Sequence, residues 1–251
     1  MPARNFSSVS CDTLVSVLSS SEIFLAMIAN CFPADMDIAI QIPGVRLGIV
    51  ECDGVTVAPA GAALVREIDE VCAAIRQKFT LESLAQHEPI LAVRAMFRAW
   101  GLDPSKYRPS SEALLRRVVQ GKGLYHVSNA VDSGNLGSIE TGWPYGIYNR
   151  AAIQGSISLR LGAASEKYEG IGRRVWHLAG RPVLGDTLGP FGSPISDSTR
   201  TQVMEAARDI LAIIYAPANA SAESVRAAAE KLAHRLESHA GAQPALIHGA
   251  S

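Results

Sequence analysis

Lys106, Arg108, Arg116, Arg117 and Lys122 stand within one short span against a single acid, Glu112. The whole chain has a formal net charge of -1, so this cluster is a local cationic feature and not part of a polycation. Basic residues gathered this way can contact several phosphates, and such binding weakens steeply with salt. Tyr107 and Tyr125 flank the cluster, placed either to stack on bases or to pack. The following segment, SNAVDSGNLGSIETGWPYGIYN, supplies Asn129, Asp132, Ser133, Asn135, Ser138 and Glu140 among Gly134, Gly137, Gly142 and Gly146. Glycines permit close backbone approach, and free amides can hold a carbonyl or an oxyanion. The same residues also read as a helix capped at Asp132 or Ser133 and stopped by Gly142, and a capped helix can line a pocket.

No nucleophile and base are paired by spacing. There is no GxSxG, GxxxxGK[ST], HExxH or strand-following GxGxxG, and the GKG at Gly121–Gly123 is too short for a phosphate loop. Of the six histidines, only His126 lies beside the polar segment. Cys11, Cys31, Cys52 and Cys72 form no CxxC pair and have no histidine at ligand spacing, so they read as thiols in a reducing compartment. Neither a metal nor a cofactor is expected.

The elements that would position these groups follow from periodicity. MDIAIQI and VRLGIVEC around Pro43-Gly44 suggest a β-hairpin. AGAALVREIDEVCAAIRQKF is an amphipathic helix on Leu64, Ile68, Val71, Cys72 and Ile75, and LESLAQHEPILAVRAMFRAWGL is further helix broken near Pro89 and ended by Gly101. In SSEALLRRVVQG, Leu114, Leu115, Val118 and Val119 form the buried stripe and the arginines face water; Ser110 is the expected cap, Glu112 pairs with Arg116 at i,i+4, and Gly121 stops the helix. From Tyr145 on, YGIYN, ISLRLG, RRVWHLAG and ILAIIYAP alternate with turns, the texture of a β-rich half. SAESVRAAAEKLAHRLESHA closes as a helix capped by Ser221.

At 251 residues and 48% hydrophobic content, the chain suits one mixed α+β domain. Residues 1–35 are expected to be a variable N-terminal extension, with Met36 as an alternative start, and residues 241–251 a flexible tail. SEIFLAMIANC is too broken for a secretory signal, and no run reaches a membrane span, so a cytoplasmic location is expected.

GLDPSKYRPSSEALLRRVVQGKGL, NAVDSGNL, ETGWPYGIYN and YEGIG together resemble the tRNA-binding and editing module of the phenylalanyl-tRNA synthetase beta subunit, domains B three and B four. The closer likeness is to stand-alone proteins built from that module, over roughly residues 36–240. The resemblance implies an α+β fold with helices packed around a β-sandwich-like arrangement of sheets, and an editing pocket between the two parts. In the synthetase, that pocket hydrolyses tyrosine wrongly esterified to tRNA, using a positioned water and tRNA hydroxyls more than a side-chain base. The asparagine of the family's VVDVTN motif falls on Asn135, and the threonine before it on Gly134. The histidine of GQPxHAFD falls on Gly146. The glutamate that reads the tyrosine hydroxyl falls at Ile213 or Ala212, and an alkyl side chain cannot read a hydroxyl.

Two classes of function follow. One is a free-standing deacylase that binds tRNA on Lys106, Arg108, Arg116, Arg117 and Lys122 and hydrolyses a mischarged ester near Asn135, with Asn129, Asp132, Gly134, Ser138, Glu140, Gly146 and Ile213 around the pocket. The other is a non-catalytic module for tRNA or an aminoacyl group, or for a small molecule in the same pocket. DNA and membranes are not expected partners, and a ligase activating phenylalanine is not expected in this sequence.

Overall fold

A computed structural model describes residues 38–243 and 245–250. Two strands come first, β1 (Ile38–Ile40) and β2 (Val45–Cys52). Five helices follow: α1 (Ala62–Lys78), α2 (Leu81–Leu84), α3 (Glu88–Ala99), α4 (Ser110–Val119) and α5 (Asn129–Thr141). The second half carries β3 (Tyr145–Asn149), β4 (Ile157–Leu161), β5 (Lys167–Glu169), β6 (Val175–His177), β7 (Pro182–Asp186), β8 (Gly189–Gly192) and β9 (Ile210–Pro217). Helix α6 (Ala222–Ala240) and strand β10 (Leu246–Ala250) complete it. The expected 1–35 extension lies outside the described residues.

The strands form two four-stranded sheets, ordered β1-β4-β7-β8 and β10-β2-β9-β3, and a β5-β6 hairpin. β9 is buried at all eight positions because both faces of its sheet are covered, which explains its unbroken apolar run. On one face, Val50, Ala212 and Ile214 pack with Ala229, Leu232 and Leu236 of α6. The cross-strand registers Leu47↔Tyr215, Ile49↔Ile213 and Tyr148↔Leu211 put the other face toward the first sheet, where Tyr148 meets Phe191 of β8 edge-on at 5.1 Å. A helical core of Leu64, Ile68, Ile90, Leu115, Val118 and Leu136 joins α1, α3, α4 and α5. This is the α+β arrangement of helices around stacked sheets.

Three local expectations change. β1 and β2 are not a hairpin: both edges of β2 are taken by β9 and β10, and β1 instead pairs parallel with β4 through Ile38↔Ile157. The C-terminal segment expected to be a flexible tail carries β10, antiparallel to β2 with Ile247 opposite Val50. Helix α5 starts one turn earlier than read, because Ser128 Oγ accepts the Val131 N–H, while Gly142 ends it in a left-handed conformation (φ 73°) as expected.

Candidate functional site

Helix α4 is held by an ion pair that local spacing does not indicate. Glu112, 1% exposed, accepts hydrogen bonds from Arg94 Nε and Nη2 of α3 at 2.8 and 2.7 Å, with Arg108 Nε at 3.6 Å. The expected Glu112–Arg116 pair is therefore not made: a buried carboxylate takes the partner that can offer a bidentate fork. The Glu82 carboxyl of α2 is held low first by its own backbone N–H and then by the Thr80 side chain, with the Arg116 charge as a lesser contributor. Pro109, not Ser110, occupies the cap position, and the Ser110 N–H bonds Pro194 O at 3.0 Å. Leu115 and Val118 are buried as expected, with Leu114 and Val119 only partly so.

The outer side of α4 ends in aromatic–cation contacts. Arg117 lies with its guanidinium carbon 3.9 Å from the ring centre of Tyr125, which is 54% exposed, and the buried Arg117 Nε has no hydrogen-bond partner. At the other end, Lys106 Nζ is 5.4 Å from the Tyr107 ring centre. Lys106, Arg108 and Lys122 are exposed, and Arg116 and Arg117 half-buried. All five cations belong to α4 or its immediate flanks.

On α5, the polar side chains mostly serve the helix and its neighbours. Asn129 accepts from the Ala58 N–H at 3.1 Å and donates to Thr56 O and His239 O, both at 2.9 Å, pinning a loop and the end of α6. Ser138 Oγ donates to Trp143 O at 2.7 Å. Glu140 receives Arg235 and Lys231; burial raises its carboxyl, but these hydrogen bonds outweigh that and hold it below its usual range. Asp132 is fully buried, its Oδ1 accepting from the Val127 N–H at 3.0 Å and its Oδ2 lying 4.0 Å from His126 Nδ1. Burial pushes the Asp132 carboxyl up, opposed first by that backbone donor. Asn135 is half-buried, and its amide makes no hydrogen bond among the described residues.

The pocket residues divide between two faces of one sheet. Gly134 lies against Ile147, where a Cβ would come within 2.6 Å, on the helical face. Gly146 and Ile213 are cross-strand partners on the opposite face. That face is filled: a Cβ at Gly146 or at Gly192 would run into the Tyr148 phenol. Glu140 borders yet another cleft, of about 230 Å³, with Ile75, Phe79, His87, Leu115 and Ile139. The structure thus pairs Gly146 with Ile213 across two strands, while Gly134, next to Asn135 on α5, packs against Ile147.

Sequence reading missed the polar group beside that slot. Tyr148 Oη donates to Asp197 Oδ1 at 2.8 Å and lies 3.1 Å from Tyr215 Oη, while Ser193 N also donates to Asp197 Oδ1, at 3.2 Å. Tyrosines inside YGIYN and ILAIIYAP were the available signal, since a buried phenol requires a partner.

A family model for the B3/4 domain matches residues 92–243. The phenylalanine–tRNA ligase beta subunit of Streptomyces avermitilis is 30% identical over 142 residues, 56% of this chain and 16% of that protein, so the match spans a small part of the relative's length. A crystal structure of an N-terminal fragment of the phenylalanyl-tRNA synthetase beta subunit from Pyrococcus horikoshii aligns over 86% of this chain and 55% of its own, at 12% identity and a TM-score of 0.40. With more than half of its residues matched by that family model, the chain belongs to the B3/4 domain family.

Proposed function

We propose that this chain binds tRNA or aminoacyl-tRNA through α4 and its flanks. The carrying observation is the way α4 is built: the pair of half-buried Arg94 with buried Glu112 fixes its inner side, and Lys106, Arg108, Arg116, Arg117 and Lys122 gather on and around its outer side. Arg117, stacked on exposed Tyr125, is pre-organised for phosphate, so little side-chain freedom is lost on contact. The relative's printed name, a phenylalanine–tRNA ligase subunit, supports tRNA as the nucleic acid. Titrating labelled tRNA against the protein at several salt concentrations tests this. Affinity should fall with salt, and each lost cation that touches a phosphate should flatten the slope by about one. Salt-independent or absent binding overturns the reading.

A second reading, hydrolysis of a mischarged ester in trans, is favoured by one observation: the Asn135 amide has no partner on α5 and is free to orient an ester or a water. A panel of mischarged tRNAs decides it. Accelerated deacylation of one of them, lost in Asn135→Ala, supports hydrolysis; no acceleration with any leaves binding alone.

A further inference from the structure

Strands β5 and β6 form a short hairpin whose register sets Tyr168 opposite Trp176, leaving Lys167, Glu169, Val175 and His177 on the solvent side. Gly170 makes room for the indole, since a Cβ there would lie 2.7 Å from it. Two guanidiniums flank that ring, Arg174 at 4.7 Å and Arg181 at 5.8 Å from its centre. Arg181 also lies 4.4 Å from the centre of Tyr107 and donates to its hydroxyl at 3.1 Å. Lys106 covers Tyr107 in turn at 5.4 Å. Side chains from three segments thus form one alternating series, Arg174–Trp176–Arg181–Tyr107–Lys106.

The charge of this series is not neutralised internally. Arg94, Arg160, Arg200 and Arg235 each grip a carboxylate with paired hydrogen bonds. Among the described residues, Arg174, Arg181 and Lys106 have no carboxylate within ion-pair distance. Exposed Arg173 adds a further cation at the hairpin turn, and Ile171 and Val175 are 47% and 52% exposed beside it. Guanidiniums laid on aromatic rings and not paired with acids keep their charge for phosphates and present their own outer planes to bases.

We infer that the Arg174–Trp176–Arg181–Tyr107–Lys106 series is a second nucleic-acid site, one that takes unpaired RNA by stacking its bases while its cations meet the phosphates. The inference rests on the tRNA-binding reading for the class of nucleic acid, but it assigns a surface that meets the α4 cluster only at Lys106, and a different mode. Acidic peptides would satisfy the charge without using the rings, which is why unpaired RNA fits better.

The test measures binding of labelled oligouridylate, which has no duplex, and of folded tRNA to the full chain. Trp176→Ala should weaken oligouridylate binding by roughly tenfold. Arg181→Lys, which keeps the charge and loses the plane, should weaken it several-fold. Arg174→Ala alters an exposed side chain and keeps the hairpin, so it stands in should Trp176→Ala fail to fold by circular dichroism. Arg116→Ala/Arg117→Ala should weaken tRNA binding far more than oligouridylate binding. Unchanged oligouridylate affinity in the three series variants overturns the inference while leaving the α4 reading intact. Equal affinity for oligoglutamate also overturns it, because the patch would then read charge alone. Oligouridylate binding that depends on the series, with tRNA indifferent to α4, supports the inference and sinks the α4 reading.

Discussion

Tyr148 Oη donates a 2.8 Å hydrogen bond to Asp197 Oδ1, joining β3 of one sheet to the loop that follows β8 of the other. The phenol sits in a slot formed by Gly146 and Gly192 and closes on Tyr215. This contact fills the space that a side chain at Gly146 would need, and it couples the packing of the two sheets to one carboxyl group.

Burial pushes the Asp197 carboxyl up to about 7, against the pull of the Tyr148 and Ser193 donors. The folded chain therefore keeps a proton that the unfolded chain releases near pH 4. Stability from this group is full at the acid end and is lost as pH rises from about 4 to about 7. The difference in denaturation midpoint between wild type and Asp197→Asn should shift across that window and flatten above it. A constant difference across the window would contradict this.

Gly146→Ala forces a methyl into the Tyr148 phenol and should destabilise the protein by about 1–3 kcal/mol. Gly192→Ala should act in the same direction. Tyr148→Ala opens a cavity and is costly alone, but the Gly146→Ala/Tyr148→Ala double variant should be less destabilised than the sum. Urea denaturation of the four proteins in this cycle measures the coupling.

Removing Arg94 leaves the buried Glu112 carboxyl short of its bidentate partner. Arg94→Met should cost about 3–5 kcal/mol, and Arg94→Met/Glu112→Met should recover most of that loss. Arg108, more exposed and farther away, should cost little when replaced by alanine. Chemical denaturation compares the three.

Arg235 joins α6 to α1 and α5 by reaching both Glu67 and Glu140 while only 4% of its side chain is exposed. Arg235→Leu takes the guanidinium from Glu67 and leaves Glu140 with Lys231 alone, and should lower stability by several kcal/mol. Lys231→Ala removes an exposed partner of the same Glu140 and should cost no more than about 1 kcal/mol. Thermal unfolding of the two variants, with circular dichroism at the helical signal, gives the ordering.

The helices were legible because their instructions are local. Of the apolar period read in α1, Leu64, Ile68, Cys72 and Ile75 are buried and Val71 only partly so, and Gly101, Gly121 and Gly142 take positive φ at the stops. Strand texture was legible too, but not strand partners. Alternation says that β1 and β2 are strands, yet nothing local says that β9 and β10 will occupy both edges of β2. The pocket was less legible still, because a glycine reads the same whether it admits a ligand or, as at Gly146, a tyrosine from two residues along the same strand.

Sequence by itself determined the α+β content, the helix stops at Gly101, Gly121 and Gly142, the cationic character of Lys106–Lys122 and the family likeness, all of which reside in residue type and short-range spacing. Tertiary structure alone decided the partners. Glu112 has Arg108 and Arg116 four residues to either side and is gripped by Arg94 from another helix; Arg181 reaches Tyr107 and Trp176 from separate segments. The reason is physical: desolvation of Glu112, Asp197 and Tyr148 exists only once helices and sheets have closed over them, and that closure selects which neighbour must answer each buried group.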